Sequence, residues 1–483
     1  MFAAPGGSPT APRLLLVSYH YPPDPAVGAL RWEKLTALAA ERGWELDVIM
    51  ADPSALPSRD DGRLAALPPG TRVWSVTPEP LWIDRALDWT IATLRGTRRS
   101  DEEREVEPEA SPRPKAPSAS NQPLSLTPEE MRWPLTRGAD YRRLYETIRV
   151  YLIEVAWQRG AAHVARSVLD GSQRAVISCG PPHLATHGAA REIAAAARLP
   201  FVMDLRDPWA IPRRLPQPYA SPLFFKLAAM EERRTVARAA LVVTNTAPVA
   251  DLMRARYPRA TVVTVMNGYD DEVIPAVEKA PRFTMAYAGA IYLDRDPRPL
   301  LRAAARVVRE LALTPDDFAI EMIGNVESYG GPPLSQLARE EGIAAYVHPG
   351  GRRPRGAALE FLARAQMLVS LPQDSKSAVP SKVFEFMLFD AWMLALAEVG
   401  SATEVVLRGS AVDVADPADE AAMAAAIRRR IEQYRAGERP ARAAEERYSR
   451  RYQAGTLFDA LERVTGVAPA EALRVPALAG ERA

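Results

Sequence analysis

Short apolar runs alternate with helical patterns along most of the chain. The first run, Arg13–Ser18 (RLLLVS), is almost entirely apolar, which is typical of a strand buried on both faces of a parallel sheet. The segment 29–42 has leucines and alanines spaced along one helical face, Gly43 ends it, and 44–50 is apolar again. Strand, loop, helix and strand form a βαβ unit, so the pattern predicts an α/β protein with doubly wound parallel sheets.

The alternation continues to the C-terminal part of the chain. Further strands are expected at 175–179, 201–203, 241–244, 283–288, 319–323, 346–348, 367–371, 393–397 and near Val412. A chain of 483 residues is too long for one ordinary core, so two large domains are expected. We expect one domain over 1–275 and a second over 276–440, then a helix at 441–466 and a mobile tail over 467–483.

The regular pattern fails between about 77 and 141, which we interpret as an insertion in the first domain. The segment 81–96 has the spacing of an amphipathic helix. The segment 99–128 is charged, rich in proline and poor in aliphatic residues, which predicts a flexible stretch. Trp and Arg residues over 80–98 permit peripheral contact with a membrane surface, whereas packing on the parent domain is the favoured alternative.

Composition and charge exclude several classes of protein. Apolar residues make up 47% of the chain and charged residues 25%, as in soluble globular proteins. A net charge of +1 gives no reason to expect a nucleic-acid partner. Cys179 is the only cysteine, so an internal disulfide and a cysteine zinc site are excluded. No signal peptide and no apolar stretch of about eighteen residues is found, and we expect a cytoplasmic protein.

Charged and small residues converge around a predicted helix that begins near Pro380, a residue suited to a first helical turn. Lys382 and Glu385 are three residues apart and leave this helix on neighbouring faces. Gly400 and Ser401 open another helix, whose backbone N–H groups favour an anion. A cation, a carboxylate and a helix N-terminus suit a ribose attached to a diphosphate. The alternative is a solvated Lys–Glu pair.

A second polar cluster follows the predicted strand 201–203. Asp204, Arg206 and Asp207 come directly after it, and open α/β sheets bind ligands at the carboxyl ends of their strands. Two carboxylates and a guanidinium suit the recognition of sugar hydroxyls. The alternative is an Arg–Asp ion pair that braces the loop before Pro208.

The stretch SAVPSKVFEFMLFDAWMLALAEVGSATE resembles the donor-binding motif of the retaining glycosyltransferases of family 4. That family has the GT-B fold, in which two Rossmann-like domains face each other across a cleft. The resemblance implies that Glu385 holds the nucleotide ribose and that Ser381, Gly400 and Ser401 bind the donor. The chain departs from the motif at Ser377, where the family has a second glutamate.

Other stretches are similar to the same family. The loop YHYPPDPAVG resembles the segment that opens its acceptor domain, which implies that Gly28 lets the backbone approach the sugar and phosphates. GPPH and DLRDPW look like a pair found in a bacterial branch, which implies sugar or acceptor contacts for Arg206 and Asp207. In the second domain the resemblance implies that the backbone around Gly350 and Arg352 cradles the nucleobase. It also implies that the last helix crosses back to the first domain.

Basic residues are expected to neutralise the departing diphosphate. The resemblance implies that Gly289 binds the donor. Family members have an arginine directly after this position and another basic residue about five residues later. This chain has Ala290 and Arg295 there, and we hypothesise that Arg298 compensates for the missing arginine. Without a metal, the negative charge of the diphosphate has to be neutralised by Arg295, Lys382 and helix N–H groups. We interpret the D-x-D sequence at 294–296 as a chance occurrence, so no metal is expected. No cofactor is expected either, and the nucleotide-diphosphate sugar is a co-substrate.

Retention of configuration, which the family implies, allows the diphosphate itself to take the proton of the acceptor. His183 and Asp204 are candidates for a general base by position only. The acceptor is expected to be a glycan, a lipid-linked molecule or a small molecule. Two other functions stay open: a nucleotide-sugar epimerase with the same fold, and a non-catalytic binding subunit, which Ser377 and Ala290 favour.

Overall fold

The computed structural model describes residues 2–3, 11–56, 58–77, 123–125, 138–210, 214–216, 222–291, 295–372 and 376–467. These residues divide into two compact units. The first contains the chain up to Val243, the segment Met253–Val263 and the chain from Phe458, and the second contains Thr244–Leu252 and Thr264–Leu457. The helix expected at 81–96, nearly all of the flexible stretch 99–128 and the tail after 467 lie outside the described residues, and the predicted domain boundaries stay predictions.

Eight strands of the described chain form one sheet in the first unit. Its order is β1-β4-β3-β2-β6-β7-β9-β10, and the pairs among β2, β3, β4, β6 and β7 are parallel, whereas β1 pairs with β4 in the antiparallel direction. The strands β5 and β8 form a separate antiparallel pair. The ten strands are β1 (Phe2–Ala3), β2 (Arg13–Ser18), β3 (Glu45–Ala51), β4 (Arg72–Val76), β5 (Pro123–Ser125), β6 (Gln173–Cys179), β7 (Phe201–Leu205), β8 (Arg214–Pro216), β9 (Leu241–Thr244) and β10 (Val262–Thr264).

Helices connect these strands. They are α1 (Val27–Glu41), α2 (Asp61–Ala65), α3 (Gly138–Val168), α4 (His183–Ala197), α5 (Pro222–Val236) and α6 (Ala247–Arg256). The central strand β2 is buried over its whole length, as its apolar sequence predicts.

The described part of the second unit contains a sheet of six strands in the order β13-β12-β11-β14-β15-β16, all of them parallel. Its strands are β11 (Phe283–Ala290), β12 (Phe318–Asn325), β13 (Val347–Gly350), β14 (Met367–Ser370), β15 (Trp392–Leu396) and β16 (Asp413–Ala415). Its helices, together with the C-terminal one, are α7 (Arg298–Glu310), α8 (Leu334–Glu340), α9 (Arg355–Arg364), α10 (Ser381–Phe386), α11 (Ala402–Leu407), α12 (Glu420–Arg435) and α13 (Arg450–Thr465).

The core of the second unit lies on both faces of this sheet. Along β11, Met285 and Tyr287 belong to one buried cluster, whereas Ala286 between them belongs to another. Successive side chains of a strand point to opposite faces, so each face is covered by its own layer of helices and loops. The prediction of a doubly wound parallel α/β fold is therefore confirmed.

Two glycines allow β11 and β12 to lie close together at their carboxyl ends. Gly289 is the register partner of Gly324, and a Cβ atom on Gly324 would collide with the carbonyl oxygen of Gly289. Gly324 also has φ +110°, a backbone conformation that residues with side chains rarely adopt. These glycines therefore determine the shape of the sheet edge where β11 ends.

Replacing Gly324 with alanine is expected to destabilise the protein by about 2–4 kcal/mol, because backbone strain and a backbone clash add together. Chemical denaturation measures the change. Gly356→Ala is the control, since Gly356 lies in α9 with open space around it. Equal stability of the two variants would contradict this description of the strand edge.

Two differences from the sequence prediction concern the sheet of the first unit. The strand expected at 201–203 continues to Leu205, so Asp204 lies inside β7 with its side chain buried. A charged residue is tolerated there because Arg31 neutralises it. The strand β4 was not predicted, since its sequence RVWSV has only two aliphatic residues.

Candidate functional site

Lys382 lies against the carboxyl end of β11. In α10, Val383, Phe384 and Phe386 are buried, which leaves Lys382 and Glu385 on the other side of the helix. The Lys382 Nζ atom donates to the Tyr287 hydroxyl at 3.2 Å and to the Ala288 carbonyl oxygen at 3.1 Å. It also lies 4.3 Å from the centre of the Tyr287 ring, a cation–π contact.

Gly289 leaves room for this ammonium group. A Cβ atom at this position would collide with Lys382 Nζ, so the absence of a side chain is required by the observed arrangement. Gly289, Lys382 and the carboxyl end of β11 therefore lie together in the second unit.

The surroundings of Lys382 reduce its affinity for a proton. Burial, together with a smaller effect of the nearby Arg295 guanidinium, lowers the pKa of the Lys382 amine to about 7, although Glu385 opposes this shift. An amine with this pKa is only partly charged near neutral pH. An anion that binds beside it would restore the positive charge.

Glu385 is held by an arginine that the sequence reasoning did not assign to the site. Arg355 Nη1 lies 2.8 Å from Glu385 Oε1, and Arg355 Nε also donates to Glu272 Oε1 at 3.2 Å. Burial raises the pKa of the Glu385 carboxyl, and Arg355 opposes this shift. Arg355 begins α9, and its position in a cluster of arginines gave no sequence signal that separates it from a solvated face.

The two other arginines expected near the diphosphate have different partners. Arg295 Nη1 donates to the Ala290 carbonyl oxygen at 3.2 Å, so it lies at the end of β11 as predicted. Arg298 binds both carboxylate oxygens of Asp296, with N–O distances of 2.9 and 2.6 Å. Arg298 thus has a carboxylate partner at the surface, and its compensation for Ala290 stays a hypothesis.

The turn at Gly400 and Ser401 differs from the prediction of open N–H groups. The Ser401 Oγ atom accepts from the Glu404 N–H at 3.3 Å, while the Gly400 N–H donates to Glu404 Oε2 at 3.1 Å. The first bond is that of an S-x-x-E capping motif, which the sequence spacing allows to be recognised, whereas the Glu404 carboxylate accepts from the residue before the N-cap Ser401. The Gly400 N–H therefore already has a partner within the chain, and donor binding by Gly400 and Ser401 stays a prediction.

The remaining donor-side predictions lie at the rim of the same unit. Gly350 ends β13 in register with Ile323, and Arg352 is exposed and donates from Nε to Asn325 Oδ1 at 2.6 Å. Ser381 is exposed at the start of α10. None of these positions contacts Lys382 in the described hydrogen bonds, so their binding roles stay predictions.

In the first unit, Asp204 forms a buried ion pair and not an open site. Arg31 Nε donates to Asp204 Oδ2 at 2.9 Å, and Trp32 Nε1 donates to the same oxygen at 2.8 Å. The Asp204 side chain is completely buried. These contacts favour the bracing role over that of a general base, although the partner is Arg31 and not the predicted Arg206.

Gly28, Arg206 and Asp207 lie close together in the first unit. A Cβ atom on Gly28 would lie 2.5 Å from Arg206 Nη1, so the guanidinium rests against the bare backbone. Arg206 Nε donates to Asp207 Oδ2 at 3.0 Å, and the Asp207 side chain is 47% exposed. An exposed carboxylate with a partly buried guanidinium is suited to binding hydroxyl groups.

His183 is packed in an aromatic cluster. Its ring stacks on Trp209 with 5.5 Å between the ring centres, and its Nδ1 lies 3.2 Å from His187 Nε2. His187 in turn forms a 2.7 Å hydrogen bond between its Nδ1 and the Ser178 hydroxyl. Burial, with a smaller effect of Arg206, lowers the pKa of His183 to about 3. Such an imidazole is a weak proton acceptor at neutral pH, which favours a packing role for His183 over that of a general base.

The structure reveals one further pair that the sequence reasoning missed. His20 Nδ1 and Asp24 Oδ2 are 2.6 Å apart in the loop after β2. The His20 side chain is 31% exposed, and its Cβ atom would lie 3.4 Å from a Cβ atom on Gly28. The H-x-x-x-D spacing within this loop was the available signal.

Comparison with known proteins identifies the fold. No protein-family model and no curated protein matches the sequence. Among solved structures, the lipopolysaccharide outer core galactosyltransferase WaaB is similar with a TM-score of 0.53 and 10% identity over 93% of this chain and 99% of that one. A glycosyltransferase from Rickettsia africae is similar with a TM-score of 0.54 and 9% identity, covering 95% and 99%. Anabaena HepE in complex with UDP-glucose gives a TM-score of 0.50 and 14% identity, covering 94% and 97%.

At this level of identity, these similarities establish the architecture. The chain has the GT-B fold, with two Rossmann-like α/β units. None of the helices in the described ranges has the length and apolar character needed to cross a bilayer.

Proposed function

We propose that this protein is a glycosyltransferase that moves a sugar from a nucleotide-diphosphate sugar to an acceptor. The observation that supports the proposal most strongly is the environment of Lys382. A partly buried amine lies at the end of β11, next to Gly289 and Arg295, with the carboxylate of Glu385 one helical turn away. A cation and a carboxylate in this arrangement match the two chemical parts of a nucleoside diphosphate.

Lys382 and Arg295 have the role of neutralising the diphosphate. Breaking the glycosidic bond places negative charge on the leaving oxygen, and cations in a partly buried site stabilise that charge more than they do in water. Lys382 acts as a compact point charge, which suits a phosphate oxygen.

Glu385 is proposed to bind the ribose. Ionised carboxylates accept hydrogen bonds from hydroxyl groups, and Arg355 holds one oxygen of Glu385 in place at 2.8 Å. Gly350 and Arg352 are proposed to lie near the nucleobase, while Arg206 and Asp207 of the first unit contact the sugar or the acceptor.

The solved structures and the family resemblance contribute different parts of the proposal. HepE was solved with UDP-glucose, and this makes a uridine diphosphate sugar the first donor to examine. Retention of configuration and independence of metal rest on the resemblance to family 4. The acceptor is a glycan, a lipid-linked molecule or a small molecule, and a cytoplasmic location with peripheral membrane contact through 80–98 stays a prediction.

A panel of nucleotide sugars tests the proposal. A donor that binds the folded state raises the apparent melting temperature, and mass spectrometry then detects sugar transfer to a pool of acceptors. Conversion of the donor in the absence of any acceptor would instead identify an epimerase. Saturable binding without turnover on any acceptor would indicate a binding subunit and contradict the proposal.

Binding of UDP at pH 8 is expected to take up a proton. The free Lys382 amine, with its pKa of about 7, is mostly neutral at this pH, whereas the neighbouring diphosphate favours the charged form. The uptake should approach ~1 proton per site. Calorimetry in buffers with different ionisation enthalpies measures it.

Two variants make this measurement specific. Lys382→Met should abolish most of the proton uptake, whereas Lys376→Met, at an exposed lysine, should leave it unchanged. Buffer-independent binding enthalpies in the wild-type protein would show that Lys382 does not contact the diphosphate.

A further inference from the structure

The first unit contains a cavity that the proposed function does not use. It has a volume of about 270 Å³ and lies between α3, the start of α4 and α5, beside the loops after β6 and β7. The described residues that line it all belong to the first unit. An apolar cavity of about 150 Å³ already holds a benzene ring, so this one has room for an aromatic ring with a substituent.

The walls of the cavity are largely apolar and aromatic. The rings of Tyr151, Trp209 and Phe224 line it, together with aliphatic side chains that include Val150 and Leu227. The faces of aromatic rings carry partial negative charge, so they attract cations as well as apolar groups. Such walls suit an apolar molecule and also accept a positive charge on it.

One carboxylate in this cavity has no cationic partner. Glu154 Oε2 accepts from the Ala185 N–H at 3.1 Å, so the side chain caps the start of α4, and it forms no ion pair with any residue that the structure describes. Protein atoms enclose the carboxyl, and Glu154 is exposed only in part. Burial raises the pKa of Glu154 to about 7, against the opposing effect of the N–H groups of Ala185 and Leu184. The helix end thus stabilises the carboxylate only in part, and a cation would stabilise it further.

The other ionisable groups of the cavity do not play this part. Glu231 also lines it, but its Oε2 accepts from Arg191 Nη1 at 3.1 Å and its Oε1 accepts from Arg234 Nη1 at 2.7 Å. Burial lowers the pKa of His183 to about 3, so this ring brings no positive charge near neutral pH. Glu154 is therefore the group that selects the charge of a ligand.

We propose that this cavity binds an organic cation with an apolar body, such as an arylalkylammonium ion, and that Glu154 pairs with the cationic group. The apolar body displaces water from the aromatic walls, while the cation supplies the partner that the enclosed carboxylate lacks. An anionic ligand is disfavoured because two carboxylates line the cavity. The site goes beyond the proposed function, since its ligand is neither a nucleotide sugar nor a product of sugar transfer.

Titration calorimetry of the full chain with 2-phenylethylamine tests the proposal. This amine is a cation between pH 6 and 8, and 2-phenylethanol is a neutral molecule of nearly the same shape. At pH 8 we expect saturable binding of the amine, with an affinity at least about tenfold above that of the alcohol. Equal affinities, or an amine that does not bind, would overturn the inference.

Glu154→Gln separates the effect of the carboxylate from that of the walls. The amide keeps the size of the side chain and an oxygen that accepts from the Ala185 N–H, so α4 stays capped. The affinity for the amine should decrease at least about tenfold, whereas that for the alcohol should change less than about threefold. Glu146→Gln is the control on the same helix, because Glu146 pairs with Arg149 at 3.9 Å and does not line the cavity. Unchanged binding of the amine in Glu154→Gln would contradict the assignment.

The wild-type chain provides a further test that does not depend on the folding of a variant. With a Glu154 pKa of about 7, the affinity for the amine should be about tenfold lower at pH 6, where the carboxyl is mostly protonated, than at pH 8. The other titratable groups around the cavity are Tyr19, Tyr151, His183 and Glu231, and the pKa of His183, about 3, and the raised pKa of Tyr19 lie outside this range. The same affinity at both pH values would show that Glu154 does not pair with the ligand. These samples contain no nucleotide sugar, so their outcome is independent of the proposed function.

Discussion

Replacing Lys382 with alanine is expected to lower the rate of sugar transfer about 10²–10³-fold, the usual effect of removing one group that stabilises charge in the transition state. The fold should be retained. Burial already lowers the pKa of this amine to about 7, so the folded protein loses little when the ammonium is removed. Initial rates at saturating donor and acceptor measure the effect.

The control for this variant is Lys376→Ala, which removes an exposed lysine from the same part of the chain. It should transfer sugar at the wild-type rate.

Glu385→Ala should act mainly on binding and raise the donor KM by about 10–100-fold, as expected for the loss of hydrogen bonds to a charged group. Wild-type rates in both Lys382→Ala and Glu385→Ala would show that the site lies elsewhere.

Asp204→Ala is expected to destabilise the protein by about 3–5 kcal/mol, because it removes the buried carboxylate that pairs with the buried guanidinium of Arg31. The Trp32 indole N–H loses its acceptor as well. Urea denaturation followed by tryptophan fluorescence measures the change, since Trp32 lies beside the substitution. Asp207→Ala is the control at an exposed carboxylate and should change stability by less than about 0.5 kcal/mol.

The activity of the Asp204→Ala variant decides between two roles for Asp204. If it braces the sheet, activity at low temperature should decrease only as far as the folded fraction decreases. A variant that remains as stable as the wild type but does not transfer sugar would instead support the catalytic role considered from the sequence.

The sequence alone predicted most of the fold because its strands are almost continuously apolar. Arg13–Ser18 and Leu241–Thr244 were predicted with their observed bounds. Lys382 and Glu385 were also recognised, since they lie in one helical turn and local spacing is visible in a sequence. The hydrogen bonds that Glu404 makes with Gly400 and Ser401 are just as local, but from the sequence alone we interpret this helix start as an anion site.

Other parts of the site depend on contacts that no local pattern reveals. Asp204 is separated by 173 residues from Arg31, and only the parallel register of the strands brings them together. Arg355 meets Glu385 because the start of α9 lies near α10. His20 and Asp24 are close in sequence, yet the loop conformation is needed to show that the ring and the carboxylate face each other.

A structure of the full chain with UDP bound is the most direct test of the central claim. The account predicts ribose hydroxyls within hydrogen-bond distance of the Glu385 carboxylate and a diphosphate oxygen within reach of Lys382 Nζ. A nucleotide seated on other residues, with Glu385 contacting only Arg355, would contradict it.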